Sequence, residues 1–128
     1  MNDALVVEAL KARENAYAPY SKFKVGAALL TSDGIVFLGC NIENVSFGLT
    51  MCAERVALGA AVQAGFSDFE RVAIAADSDE PIVPCGACRQ VLAEFRQDLR
   101  VTSVTLAGQT AEFSMAVLLP RARQGILQ

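Results

Sequence analysis

The chain has 128 residues, 53% of them hydrophobic and 20% charged, which fits one domain spanning residues 1–128 and excludes intrinsic disorder. Its apolar residues fall in short runs, none near the ~20 that a membrane-spanning helix needs, and the Met1-Asn2-Asp3-Ala4 start has no signal-peptide pattern. Eleven Lys and Arg against fourteen Asp and Glu leave a net charge of −3, a poor match for a nucleic-acid backbone, and the lack of any histidine rules out serine-histidine and cysteine-histidine catalysis. A cytoplasmic protein with neither membrane nor nucleic acid as partner is expected.

From Asp3 to about Tyr17, apolar residues at Leu5, Val6, Ala9, Leu10 and Ala16 follow helical spacing, and Pro19 ends the helix. Phe23 to Leu30 alternates and then turns wholly apolar. Ser32-Asp33-Gly34 is a turn signal, and Ile35 to Gly39 completes a β-hairpin. Cys52 to Ala64 reads as a helix that is apolar almost all round after Arg55, closed by Gly65 and covered on several sides.

Arg71 to Ala76 is a continuous apolar run, the pattern of a central strand buried on both faces. Cys85 to Phe95 returns to helix with Val91, Leu92 and Phe95 inward. Val101 to Leu106 reads as a strand, Ala111 to Phe113 as a short one, and Met115 to Leu119 as a last helical turn before Pro120. Strands alternating with helices predict an α/β fold, a three-layer α/β/α sandwich around a mixed sheet.

Four cysteines stand at 40, 52, 85 and 88. In a reducing compartment such a cluster points to metal or redox work rather than disulfides. Pro84-Cys85-Gly86-Ala87-Cys88 puts two sulfurs on one face of a helix start, where unpaired N–H groups and the helix dipole favour thiolate. A CxxC alone also serves thioredoxin-like redox sites. Cys52-Ala53-Glu54, about thirty residues earlier, supplies a third sulfur at another helix start. Three cysteines leave a tetrahedral zinc one open position, as in catalytic sites, whereas structural sites are closed by four ligands. Glu54 would then stand beside the open position as an acid/base. Cys40 closing a structural four-cysteine site is the competing arrangement. Such a site would make the chain a non-catalytic zinc module.

With these motifs together the chain resembles the small zinc-dependent cytidine deaminases that act on free nucleosides. The resemblance takes in Tyr17-Ala18-Pro19-Tyr20-Ser21, Phe23 through Gly26-Ala27-Ala28, Gly39-Cys40-Asn41-Ile42-Glu43-Asn44, Cys52-Ala53-Glu54-Arg55 and Pro84-Cys85-Gly86-Ala87-Cys88-Arg89-Gln90. It implies a cytidine-deaminase-like fold with a five-stranded sheet, one zinc per subunit on Cys52, Cys85 and Cys88, and Glu54 as proton shuttle. Phe23, Asn41, Glu43 and Ala53 would bind a pyrimidine nucleoside, Asn41 and Glu43 through its sugar. Arg55 and Arg89, each following a motif cysteine, would hydrogen-bond sulfur and draw off charge, since three thiolates on a divalent ion leave −1.

The implied reaction is hydrolysis of cytidine and deoxycytidine to uridine and deoxyuridine with release of ammonia, in pyrimidine salvage. A homotetramer with sites shared between subunits is the implied assembly. An aminohydrolase of N4-substituted cytosine nucleosides or of a nucleoside antibiotic is the second enzymatic reading. One departure from the family stands near the C-terminus. Three positions after the proline of Leu118-Leu119-Pro120, where many relatives carry an aromatic residue, this chain has Arg123.

Overall fold

The computed structural model describes residues 3–123. Helix α1, Ala4–Arg13, starts at Asp3, whose carboxylate accepts from the Leu5 N–H at 3.0 Å. Strands β1, Val25–Thr31, and β2, Val36–Cys40, form the hairpin around Gly34, whose φ of +88° suits a residue without Cβ. A short 3-10 turn, Phe47–Leu49, precedes helix α2, Ala53–Gln63. Strand β3, Phe69–Ala76, helix α3, Gly86–Phe95, strands β4, Arg100–Thr105, and β5, Thr110–Ser114, and the single-turn helix α4, Met115–Leu118, complete the chain.

The sheet runs in the order β2-β1-β3-β4-β5. Among the described strands only β3 and β4 pair in parallel, joined through α3, so the sheet is mixed and five-stranded as expected. Strand β3 occupies the centre and is buried from Val72 to Ala76. Helix α1 packs Leu5, Val6 and Ala9 on one face of the sheet against Ala28, Ala73, Ala75 and Val104. Helices α2 and α3 cover the other face, where Ala53, Ala57, Leu58 and Leu92 meet Ala27, Leu29, Val72 and Ile74. That gives the three layers.

Glycine sets how close two of the helices come. A Cβ on Gly26 would lie 2.1 Å from the Ala9 carbonyl oxygen, and one on Gly39 would lie 2.3 Å from that of Ala53. Both helix backbones therefore rest directly on the sheet, and Gly39 sits under the first turn of α2, where the cysteine-glutamate motif begins. The far end of α2 closes as expected: Gly65 has φ +99°, its N–H donates to the Val62 carbonyl, and the Phe66 N–H donates to that of Ala61.

Three expectations need correction. The first helix ends at Arg13 rather than near Tyr17, because the Tyr17 N–H donates to the Asn41 carbonyl and its own carbonyl accepts from Glu43, forming a bridge beside Ile42. Phe23 lies ahead of β1, not on it. Phe95 is exposed, resting its ring edge-on 5.6 Å from Phe69 rather than entering the core.

Candidate active site

Two helix starts meet at one point. Cys52 caps α2 and Cys85 caps α3, both with extended backbone, and Cys88 lies one turn into α3. The three sulfurs lie within 4.8 Å of one another, and the Cys52 and Cys85 sulfurs are 3.8 Å apart. Two zinc–sulfur bonds of ~2.3 Å at a tetrahedral angle separate their sulfurs by about 3.8 Å, so the cluster fits zinc. Cys88 is buried, Cys52 half-buried and Cys85 exposed, which leaves the cluster open on one side.

Cys40 is not part of it. It ends β2 and lines a separate recess with Ala12, Asn15, Leu38, Gly39 and Val56. The four-cysteine arrangement is therefore not formed.

Within the cluster, Cys52 is the sulfur that favours thiolate. Cys52 is pulled down to about 5, first by the hydrogen bond from the Cys88 thiol and further by Arg55, while holding that proton pushes Cys88 up. The Cys88 N–H donates to the Cys85 sulfur at 3.4 Å. Arg55 Nη2 donates to the Cys52 sulfur at 3.4 Å, and its buried Nε has no partner among the described residues. Arg89 behaves differently from expectation. Its Nε donates to the Pro84 carbonyl at 2.7 Å and its Nη1 to the Leu118 carbonyl at 3.1 Å, so it braces the CxxC turn against α4 instead of meeting a sulfur.

Glu54 is the second residue of α2 and is only 4% exposed. Burial pushes its carboxyl up to about 7, with the Cys52 thiolate adding to the effect. It lines a cleft of about 200 Å³ together with Val25, Asn41, Thr50, Cys52, Ala53 and Cys85. A carboxyl poised near neutrality beside an open sulfur cluster is suited to taking up and handing on protons.

Asn41, 8% exposed, is held on both sides: its Oδ1 accepts from the Val25 N–H at 2.9 Å and its Nδ2 donates to the Phe23 carbonyl at 2.8 Å. Glu43 lies two residues further along the same extended segment, outside the cleft's inner lining, and accepts from the Tyr20 N–H at 2.9 Å and the Ser21 N–H at 3.1 Å. Phe23 stands beside this segment, with its ring partly exposed. Ile82 and Val83 complete the lining; only their position just ahead of Pro84-Cys85 marked them in the sequence. Arg123, the last described residue, is exposed and outside the cleft lining.

Residues 1–104 match the family model described as the cytidine and deoxycytidylate deaminase zinc-binding region. The cytidine deaminase of Sporosarcina psychrophila is 50% identical over 121 residues, covering 94% of this chain and 89% of that protein. That of Halalkalibacterium halodurans is 52% identical over 119 residues, covering 92% and 90%. In three dimensions, the crystal structure of cytidine deaminase from Burkholderia pseudomallei superposes with a TM-score of 0.91 at 49% identity, covering 94% of this chain and 98% of that one.

Proposed function

The chain belongs to the cytidine and deoxycytidylate deaminase family, and we propose that it hydrolyses the exocyclic amine of cytidine and deoxycytidine, yielding the uracil nucleosides and ammonia. The carrying observation is the three-sulfur cluster with the buried carboxyl of Glu54 beside it in one cleft. Cys52, Cys85 and Cys88 would hold one zinc per chain, which would supply a bound water with its pKa lowered towards ~7.

Glu54 accepts the proton of the attacking water and delivers it to the ring nitrogen next to the amine-bearing carbon. Glu54 then moves the proton remaining on the added hydroxyl to the amine, so that the carbonyl forms as the C–N bond breaks and ammonia leaves. Burial supports this role, because a carboxyl held near neutrality accepts and releases protons with little cost in either direction. Ala53 lines the cleft, so the pyrimidine edge meets the backbone of the α2 start. Asn41, Glu43 and Phe23 form the sugar side of the site. Arg55 donates to the Cys52 sulfur and so would draw charge from that ligand when a metal is bound.

The 128 residues act as one deaminase domain, cytoplasmic and in pyrimidine salvage, with neither nucleic acid nor membrane as partner. No described helix is long and apolar enough to cross a membrane. The working form is a homotetramer with sites shared between subunits. Support comes from the loop that leads into the cleft at Thr50, where Val45, Phe47 and Leu49 expose 78%, 75% and 67% of their surface. Large apolar groups at a cleft mouth are what a neighbouring copy would cover. Purified protein mixed with cytidine tests the activity: the ultraviolet band of cytosine should give way to that of uracil, and an unchanged spectrum with zinc present would refute it. Gel filtration should return about four times the mass of one chain.

A further inference from the structure

Ser21 holds a place that the reading of the cleft does not use. The turn from Ala18 to Lys22 is closed by the Lys22 N–H on the Ala18 carbonyl at 3.0 Å and is built around the carboxylate of Glu43. Glu43 Oε1 takes the N–H groups of Tyr20 and Ser21, and Oε2 takes the Ser21 hydroxyl. The Ser21 Oγ in turn accepts the Phe23 N–H at 3.0 Å, and the Phe23 carbonyl accepts Asn41 Nδ2. One hydroxyl therefore ties together Phe23, Asn41 and Glu43, the three side chains assigned to the sugar side.

Lone-pair counting sharpens this. A carboxylate offers about four acceptor positions. Two are filled on Oε1 and one on Oε2, so a single position on Oε2 is left for a ligand hydroxyl. The terminal torsion of a glutamate is soft, so the backbone bonds to Oε1 alone do not fix where that position points. The Ser21 hydroxyl does.

We propose that Ser21 is a positioning residue that aims the free acceptor of Glu43 Oε2 at a hydroxyl of the nucleoside sugar. This rests on the reading of Asn41 and Glu43 as sugar-binding groups. Ser21 touches no reacting atom, so its effect falls on substrate binding and only through a sugar hydroxyl.

The test compares wild type, Ser21→Ala and Ser21→Thr on cytidine and on 2′,3′-dideoxycytidine, which lacks the sugar-ring hydroxyls. Ser21→Ala should raise KM for cytidine about tenfold, the scale of one hydrogen bond to a charged group, with kcat within about twofold. The same variant should leave dideoxycytidine kinetics within about twofold, and Ser21→Thr should restore cytidine binding. Equal losses on both substrates, an unchanged KM for cytidine, or a Ser21→Ala chain that melts well below wild type would overturn the proposal. A wild type that treats the two substrates alike would bring down the sugar-binding reading itself, and the proposal with it.

Discussion

The Cys52, Cys85 and Cys88 sulfurs lie within 4.8 Å of one another, and as zinc ligands all three would be thiolates whose mutual repulsion the cation offsets. At the scale of single residues this makes zinc content the sharpest observable. Cys52→Ala, Cys85→Ala and Cys88→Ala should each lose zinc, read by metal analysis of the purified variants, because three protein ligands are the minimum of a catalytic zinc site. Cys40→Ala should keep a full zinc complement, since Cys40 lines another recess. Residue roles were unevenly legible in the sequence. Spacing makes the three cysteines legible as a cluster, and Glu54 lines the cleft beside them, where its place two residues after Cys52 puts it. Arg89 is not legible in this way, because a position after a cysteine says nothing of where a long side chain turns, and here carbonyls of Pro84 and Leu118 claim it. Ser21 stands in the Tyr17-Ala18-Pro19-Tyr20-Ser21 motif, but nothing in the sequence ties it to Glu43, 22 positions away.

Elements were read well where the pattern was local and poorly where a distant strand intervened. The continuous apolar run of β3 placed it at the centre of the sheet, and Gly65 marked the end of α2. Ala16 keeps the helical period beyond the end of α1, while the backbone of Tyr17 is captured by Asn41 and Glu43. The seat of α2 on β2 yields a prediction at this scale. A Cβ on Gly39 would press 2.3 Å from the Ala53 carbonyl and 2.5 Å from the Ala57 nitrogen, both backbone atoms that cannot swing aside. Gly39→Ala should cost about 1–3 kcal/mol in denaturant unfolding. Activity should fall further than stability alone explains, because the displaced turn carries Cys52 and Glu54. A variant with wild-type stability and turnover would show that α2 is not seated this tightly.

Over the whole molecule, one polar chain ties the N-terminus across the sheet. Asp3 caps α1 and pairs with both terminal nitrogens of Arg71 at 2.6 and 2.9 Å, Arg71 reaches Thr102 at 3.0 Å, and Thr102 donates to Glu112. Arg71 holds the Asp3 carboxyl at about 2, against an ordinary 3.8. Because the folded-state value is the lower one, this contribution is full above about pH 4 and is lost as pH falls through 2. Solvent screening of the half-buried pair limits it to roughly 1 kcal/mol. Asp3→Asn should be less stable than wild type by that amount at neutral pH, and the gap should close in acid melts near pH 2. A gap independent of pH would assign the effect to the cap alone. In the proposed reaction zinc and Glu54 divide the chemistry between them, and one paired measurement on wild type and Glu54→Gln shows whether they do. Zinc content and cytidine turnover should both be high in wild type, while Glu54→Gln should keep its zinc and its fold but lose at least about 10²-fold in rate. Turnover within tenfold of wild type in that variant would remove Glu54 from the proton path, and fully zinc-loaded wild type that leaves cytidine untouched would exclude the proposed reaction.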